Sequence, residues 1–147
     1  MENKYETYDI LSISDNLCMI EFISIGKNGP VKKRILFSPP DAVMVNLAFG
    51  DIDEYGKLND RTVTDNGDRN KVLATVVHAV ELYFNKYPER WIYFRGSTSS
   101  RMRLYRMAIT IHLEELLIKF DIYAEQRNRI IYFQKNIEAE AILVKKK

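Results

Sequence analysis

A single cysteine, Cys18, stands in a chain of 147 residues. Its isolation excludes an internal disulfide and any metal site built from several thiolates. It lies in the strand-like run Leu17-Cys-Met-Ile-Glu-Phe-Ile-Ser-Ile25. A small thiol in such a run is expected in the core, not as a nucleophile. Long apolar runs are missing too. None reaches the ~18 residues of a membrane span, and Met1-Glu-Asn-Lys-Tyr-Glu6 is too polar and acidic for a secretory signal. A cytoplasmic protein with no membrane partner is therefore expected. An excess of one charge is also lacking: 22 Lys and Arg face 20 Asp and Glu, a net charge of +2. That balance argues against a broad basic face for duplex DNA and leaves room for a local basic site. The G-x-x-x-x-G-K-[ST] spacing of a nucleotide P-loop is absent. Nothing in the chain calls for a cofactor, and no catalytic residue stands out.

What is present is an ordinary globular composition, 46% hydrophobic and 29% charged. This length supports one core without staples, and residues 1–147 are expected to form a single domain. Apolar, β-branched runs at Tyr5–Ile13, Leu17–Ile25, Val31–Phe37 and Val43–Phe49 are separated by turn residues. They predict a meander of antiparallel strands. Asp51–Asn66 reads as a long polar loop. Asp68 suits a helix cap. Asn70–Tyr87 follows with a 3.6-residue pattern that puts Val72, Leu73, Val76, Val77, Val80, Tyr83, Phe84 and Tyr87 on one face. Tyr87-Pro88 closes that helix, and Trp91–Phe94 is a short apolar strand of central character.

A second helix is expected over Ser99–Lys119, with two apolar stripes. Tyr105, Ile109, Leu113, Leu116 and Phe120 form the first; Leu104, Met107, Ile111 and Ile118 form the second. A helix apolar on two sides should be covered on two sides, by the sheet and by another element or a second subunit. Asp121–Glu125 and Glu140–Val144 complete the strands, Ile130–Phe133 is ambiguous, and Lys145-Lys-Lys147 reads as a solvated tail. The predicted order is ββββ-α-β-α-ββ: an α+β fold with a mostly antiparallel sheet and two helices packed on it.

The stretch Trp91-Ile-Tyr-Phe-Arg-Gly-Ser-Thr-Ser-Ser-Arg-Met-Arg-Leu-Tyr-Arg106 carries the strongest functional signal. It opens a helix with Arg101, Arg103 and Arg106, although cations at a helix start are disfavoured by roughly 0.3–1 kcal/mol each. A bound anion would relieve that conflict, held by the loop N–H groups, the hydroxyls and one or two arginine forks. Gly96, Ser97, Thr98, Arg101, Arg103, Tyr105 and Arg106 are the candidate ligand-binding residues, with Lys71 approaching from the first helix. The bland reading pairs Arg103 and Arg106 with carboxylates and leaves Arg101 solvated.

Other candidates are weaker. Asp51-Ile-Asp-Glu-Tyr-Gly56 opens like a calcium loop but fails at position five, Tyr55, and at position twelve, where Thr62 replaces the bidentate Glu such a loop requires. A hairpin turn is the better reading, and no metal is expected. Glu54-Tyr-Gly-Lys57 has one residue too many for a carboxylate–lysine nuclease. His78 and His112 both fall on polar helix stripes and read as surface or salt-bridging residues.

Asn46-Leu-Ala-Phe-Gly-Asp51, Asn66-Gly-Asp68 with Lys71-Val-Leu-Ala-Thr-Val76, and Gly96-Ser-Thr98 with Arg101 and Arg103-Leu-Tyr-Arg106 carry a resemblance over nearly the whole chain. It resembles a family of small bacterial proteins classed as a domain of unknown function, and this resemblance implies no activity or catalytic residue. A second likeness, to acyl-coenzyme A N-acyltransferases, rests on a strand–helix–strand–helix–strand order. It runs from Phe49 through Asn70–Tyr87 and Trp91–Phe94 to Arg101, Leu104 and Tyr105. The Arg/Gln-x-x-Gly-x-Gly/Ala pyrophosphate loop of those enzymes is replaced here by Asn66-Gly-Asp-Arg-Asn-Lys71.

Three functions are compatible with these features. The first is binding of a phosphate-bearing nucleotide or single-stranded nucleic acid at Gly96–Arg106. The second is acyltransferase-like chemistry with Tyr105 as general acid. The third is a homodimer or partner-binding protein with structural arginines, a toxin–antitoxin component being one such case.

Overall fold

A computed structural model describes residues 6–59, 67–96 and 98–147. Tyr5, residues 60–66 and Ser97 lie outside the described residues. Four antiparallel strands come first: β1 (Ile10–Ile13), β2 (Met19–Gly26), β3 (Gly29–Ser38) and β4 (Met44–Ile52). They form the predicted meander, with Gly29 at φ +77° closing the tight β2–β3 turn. β5 (Leu58–Asn59) folds back on the end of β4. The expected polar loop therefore begins as a hairpin whose turn holds Gly56 at φ +77°. Asp53 Oδ1 accepts from the backbone N–H of Tyr55 and Lys57, both at 2.9 Å. That carboxylate is an Asx-turn element. Among the described residues no cluster of His, Cys, Asp and Glu could hold a metal ion.

Helix α1 (Arg69–Lys86) crosses from β4 to β6 (Trp91–Phe94), which is parallel to β4 and lies inside the sheet. Next come helices α2 (Ser99–Ile111) and α3 (Leu113–Lys119), then β7 (Phe120–Gln126), β8 (Arg129–Tyr132) and β9 (Ala141–Lys146). The sheet runs β1-β2-β3-β4-β6-β9-β7-β8, and among the described residues only the β4–β6 pair is parallel. The fold is α+β, as expected, with three helices among the described residues where two were expected. Lys145 and Lys146 are not a free tail: they pair with Trp91 and Phe120.

Alternation selects the covered face. Ile20 and Phe22, Ile35 and Phe37, Val45, Leu47 and Phe49, Ile92, Ile122 and Val144 point to the core. On α1 the buried stripe is Val72, Ala74, Thr75, Ala79, Tyr83 and Phe84. Small residues at its centre let the helix sit close to the strands. Leu73, Val76, Val77 and Val80, expected in that stripe, are instead half-buried on its flank.

The second helix breaks at His112, between α2 and α3. Two features favour the break. Ile109-Thr110-Ile111 is a β-branched run of modest helix propensity. Glu114 and Glu115 gain a favourable place in the first turn of α3. Ile109, Leu113, Leu116 and Phe120 of the first apolar stripe are buried. The second stripe remains open, with Met107 43%, Ile111 65% and Ile118 68% exposed.

Candidate functional site

Strand β4 runs beyond the last parallel pair, Asn46 with Tyr93, because β6 stops at Phe94. On that edge, between Asn46 and the point where β5 joins at Asp51, β4 has no strand beside it among the described residues. Arg101, in the first turn of α2, fills the place: its guanidinium donates to the carbonyl of Phe49 and, at 2.8 Å, to the hydroxyl of Tyr105. Arg101 is 6% exposed, not solvated as the bland reading had it. A buried guanidinium satisfies a backbone group that sheet pairing leaves over.

The loop before α2 is shaped by packing. A Cβ on Gly96 would lie 2.3 Å from the backbone nitrogen of Met102 and 2.8 Å from the carbonyl carbon of Arg101. Glycine is needed there because the strand end presses against the first turn of α2. Thr98 is the N-cap, its hydroxyl accepting from the N–H of Arg101 at 3.1 Å. One helix-start donor is thereby occupied. The candidate Ser97 lies outside the described residues.

The remaining candidates diverge. Arg103 is exposed and, among the described residues, forms no ion pair. Arg106 turns to the other side of α2 and donates to the carbonyl of Ile137 at 3.2 Å. Among the described residues its buried Nε has no hydrogen-bond partner. Among the described residues neither Arg103 nor Arg106 meets a carboxylate, which the bland reading required of both. Lys71 lies 4.4 Å over the ring of Tyr8 and 4.0 Å from Glu6, on the flank of α1 away from α2. So Gly96, Thr98, Arg101 and Tyr105 come together, while Arg103, Arg106 and Lys71 point elsewhere.

Sequence reasoning missed a polar cluster under the starts of both helices. Lys33, on the covered face of β3, is fully buried, and its Nζ lies 2.6 Å from Asp51. The same ammonium stands 5.9 Å from the centre of the Phe49 ring. Phe22 stacks between Phe49 and Tyr8, with centroids at 6.3 and 5.8 Å. Asp68 does not cap α1 with its side chain. Its carboxylate instead accepts from the hydroxyls of Tyr8 and Ser24. Burial first, and then the bond to Asp68, raises the Tyr8 pKa above its ordinary value. Thr75 is also fully buried, accepting from the N–H of Tyr8 at 2.9 Å and donating to the carbonyl of Lys71 at 2.8 Å. The alternation Lys33-Arg-Ile35-Leu-Phe37 was the available signal, since it puts Lys33 in phase with two core residues.

Between α1 and α2 lies an apolar groove of about 100 Å³. Leu73, Val76, Val77 and Val80 form one wall, Tyr105, Ala108 and His112 the other, and Phe49 and Phe94 belong to its floor. His112 therefore faces a cavity and not the solvated stripe expected of it. Tyr105, held edge-on to Phe94 at 5.3 Å, closes the end nearest Arg101.

Comparison with known families gives a match from residue 4 to residue 147, to a family of unknown function, DUF6934. The chain belongs to that family. No curated protein matches it, and no solved structure does. The family membership agrees with the resemblance carried by Asn46–Asp51, Asn66–Val76 and Gly96–Arg106, and it assigns none of those residues a role. From β4 to β7 the elements run β4-β5-α1-β6-α2-α3-β7, so β5 and α3 are additional to the strand–helix–strand–helix–strand order, and no match supports the N-acyltransferase likeness. Shared order of this kind establishes no activity.

Proposed function

We propose that the protein binds an anionic ligand, a phosphate-bearing nucleotide or single-stranded nucleic acid, at the corner where α2 begins. One observation carries this reading. Neither α1 nor α2 has an acidic residue in its first turn, whereas α1 opens with Arg69 and Lys71 and α2 with Arg101 and Arg103. Helix starts present unpaired N–H groups and positive potential, so cations gathered there favour a negative guest. In this reading Arg103 contacts the anion. Arg101, Gly96 and Thr98 hold the corner in shape, and Lys71 and Arg106, which point elsewhere, take no part in it.

A thermal-shift screen with inorganic phosphate, nucleotides, coenzyme A and short oligonucleotides at two salt concentrations tests this. A ligand at about 100 times its Kd stabilises by about 2.7 kcal/mol. The shift should vanish in Arg103→Ala, whose exposed side chain the fold does not need. Absence of any shift in the wild type refutes the reading. A shift with coenzyme A alone would favour acyltransferase-like chemistry with Tyr105 as general acid.

A second reading, a homodimer or partner-binding protein, is favoured by the exposed stripe of Met107, Ile111 and Ile118. Sedimentation of wild type and Ile118→Lys decides it. A wild-type monomer at micromolar concentration removes the homodimer.

A further inference from the structure

Protein interiors leave few voids larger than a water molecule, and the groove between α1 and α2 departs from that norm. Short side chains face each other across it: the stiff, β-branched Val76, Val77 and Val80 on one wall and Ala108 on the other. The aromatic floor does not fill the gap. Its volume of about 100 Å³ approaches that of apolar cavities that stay dry and bind a small hydrocarbon. One end is polar. The Tyr105 hydroxyl accepts from Arg101, and among the described residues nothing accepts its own proton. An apolar void that ends on a free donor suits a molecule with an apolar body and an acceptor at its head.

We propose that the groove binds the apolar body, roughly four carbons long, of a small amphipathic anion whose head accepts a hydrogen bond from Tyr105. The positive starts of α1 and α2 set the sign of that head. For the head group alone, this rests on the anion-binding reading above.

The test compares three probes, inorganic phosphate, butyl phosphate and butan-1-ol, by calorimetry and ligand-observed NMR. The proteins are wild type, Ala108→Leu and Val77→Phe, which fill the groove from opposite walls, and Tyr105→Phe. Butyl phosphate should bind wild type at least about ten-fold more tightly than phosphate. Either filling variant should erase that advantage and leave phosphate binding unchanged. Tyr105→Phe should weaken butyl phosphate by about three- to ten-fold. Equal affinity for phosphate and its butyl ester overturns the groove and leaves the anion reading standing, as does an advantage that survives both filling variants. Butanol binding that Ala108→Leu abolishes, with neither phosphate bound, keeps the groove and overturns the anionic head. No binding by any probe overturns both.

Discussion

Lys33 and Asp51 are the residues whose placement is hardest to reconcile with ordinary burial. An ammonium with no exposure must keep a counter-charge, and Asp51 supplies one at 2.6 Å. Removing the acid takes this counter-charge away from a buried ammonium, whereas removing both charges removes the need for it. Asp51→Ala should therefore lower stability by about 3 kcal/mol. The double variant Lys33→Met/Asp51→Ala should recover most of that loss, as read by urea denaturation. If the single and double variants are equally destabilised, the pair is not what keeps Lys33 inside. Alternation alone placed Lys33 on the inner face; composition argued for solvent, and no local rule pairs it with a residue 18 positions away. Arg101 was hidden for a similar reason. Its partner is a backbone carbonyl left over by the end of β6, and only the sheet register reveals it.

Among the elements, α1 and β6 were legible because a long 3.6-residue period and an unbroken apolar strand are strong local signals. The division of α1 into a small-residue contact stripe and a valine flank was not. Apolarity does not distinguish a side chain facing the sheet from one facing a groove. Nor does periodicity locate the break at His112, where the first apolar stripe continues in phase through Leu113 and Leu116. The start of α2 is the element most open to test. Gly96→Ala forces a Cβ against the backbone of Met102 and should destabilise by at least about 1–3 kcal/mol. Thr98→Ala removes only a cap and should cost about 1 kcal/mol. Equilibrium unfolding of both variants should rank glycine above threonine. The opposite order would mean that the loop can move away from α2.

The whole molecule should respond to alkali in one direction. Burial, opposed in part by Arg90, raises the pKa of the Cys18 thiol above 9.0 and that of the Tyr83 phenol above 10.0. Tyr8 moves the same way. Above the ordinary values the unfolded chain loses protons that the native chain keeps, so the slope of stability with pH is negative there. The contribution is complete below about pH 9 and is lost as pH rises through the native values. Urea midpoints should hold steady from neutrality to about pH 8.5 and then fall. A midpoint that rises into alkali would contradict this. The sheet order has a consequence of another kind. β9 is the last strand in sequence among the described residues, yet it lies between β6 and β7 and joins the β7–β8 hairpin to the rest of the sheet. A chain truncated before residue 141 would leave the facing edges of β6 and β7 unpaired, and open edges invite edge-to-edge aggregation.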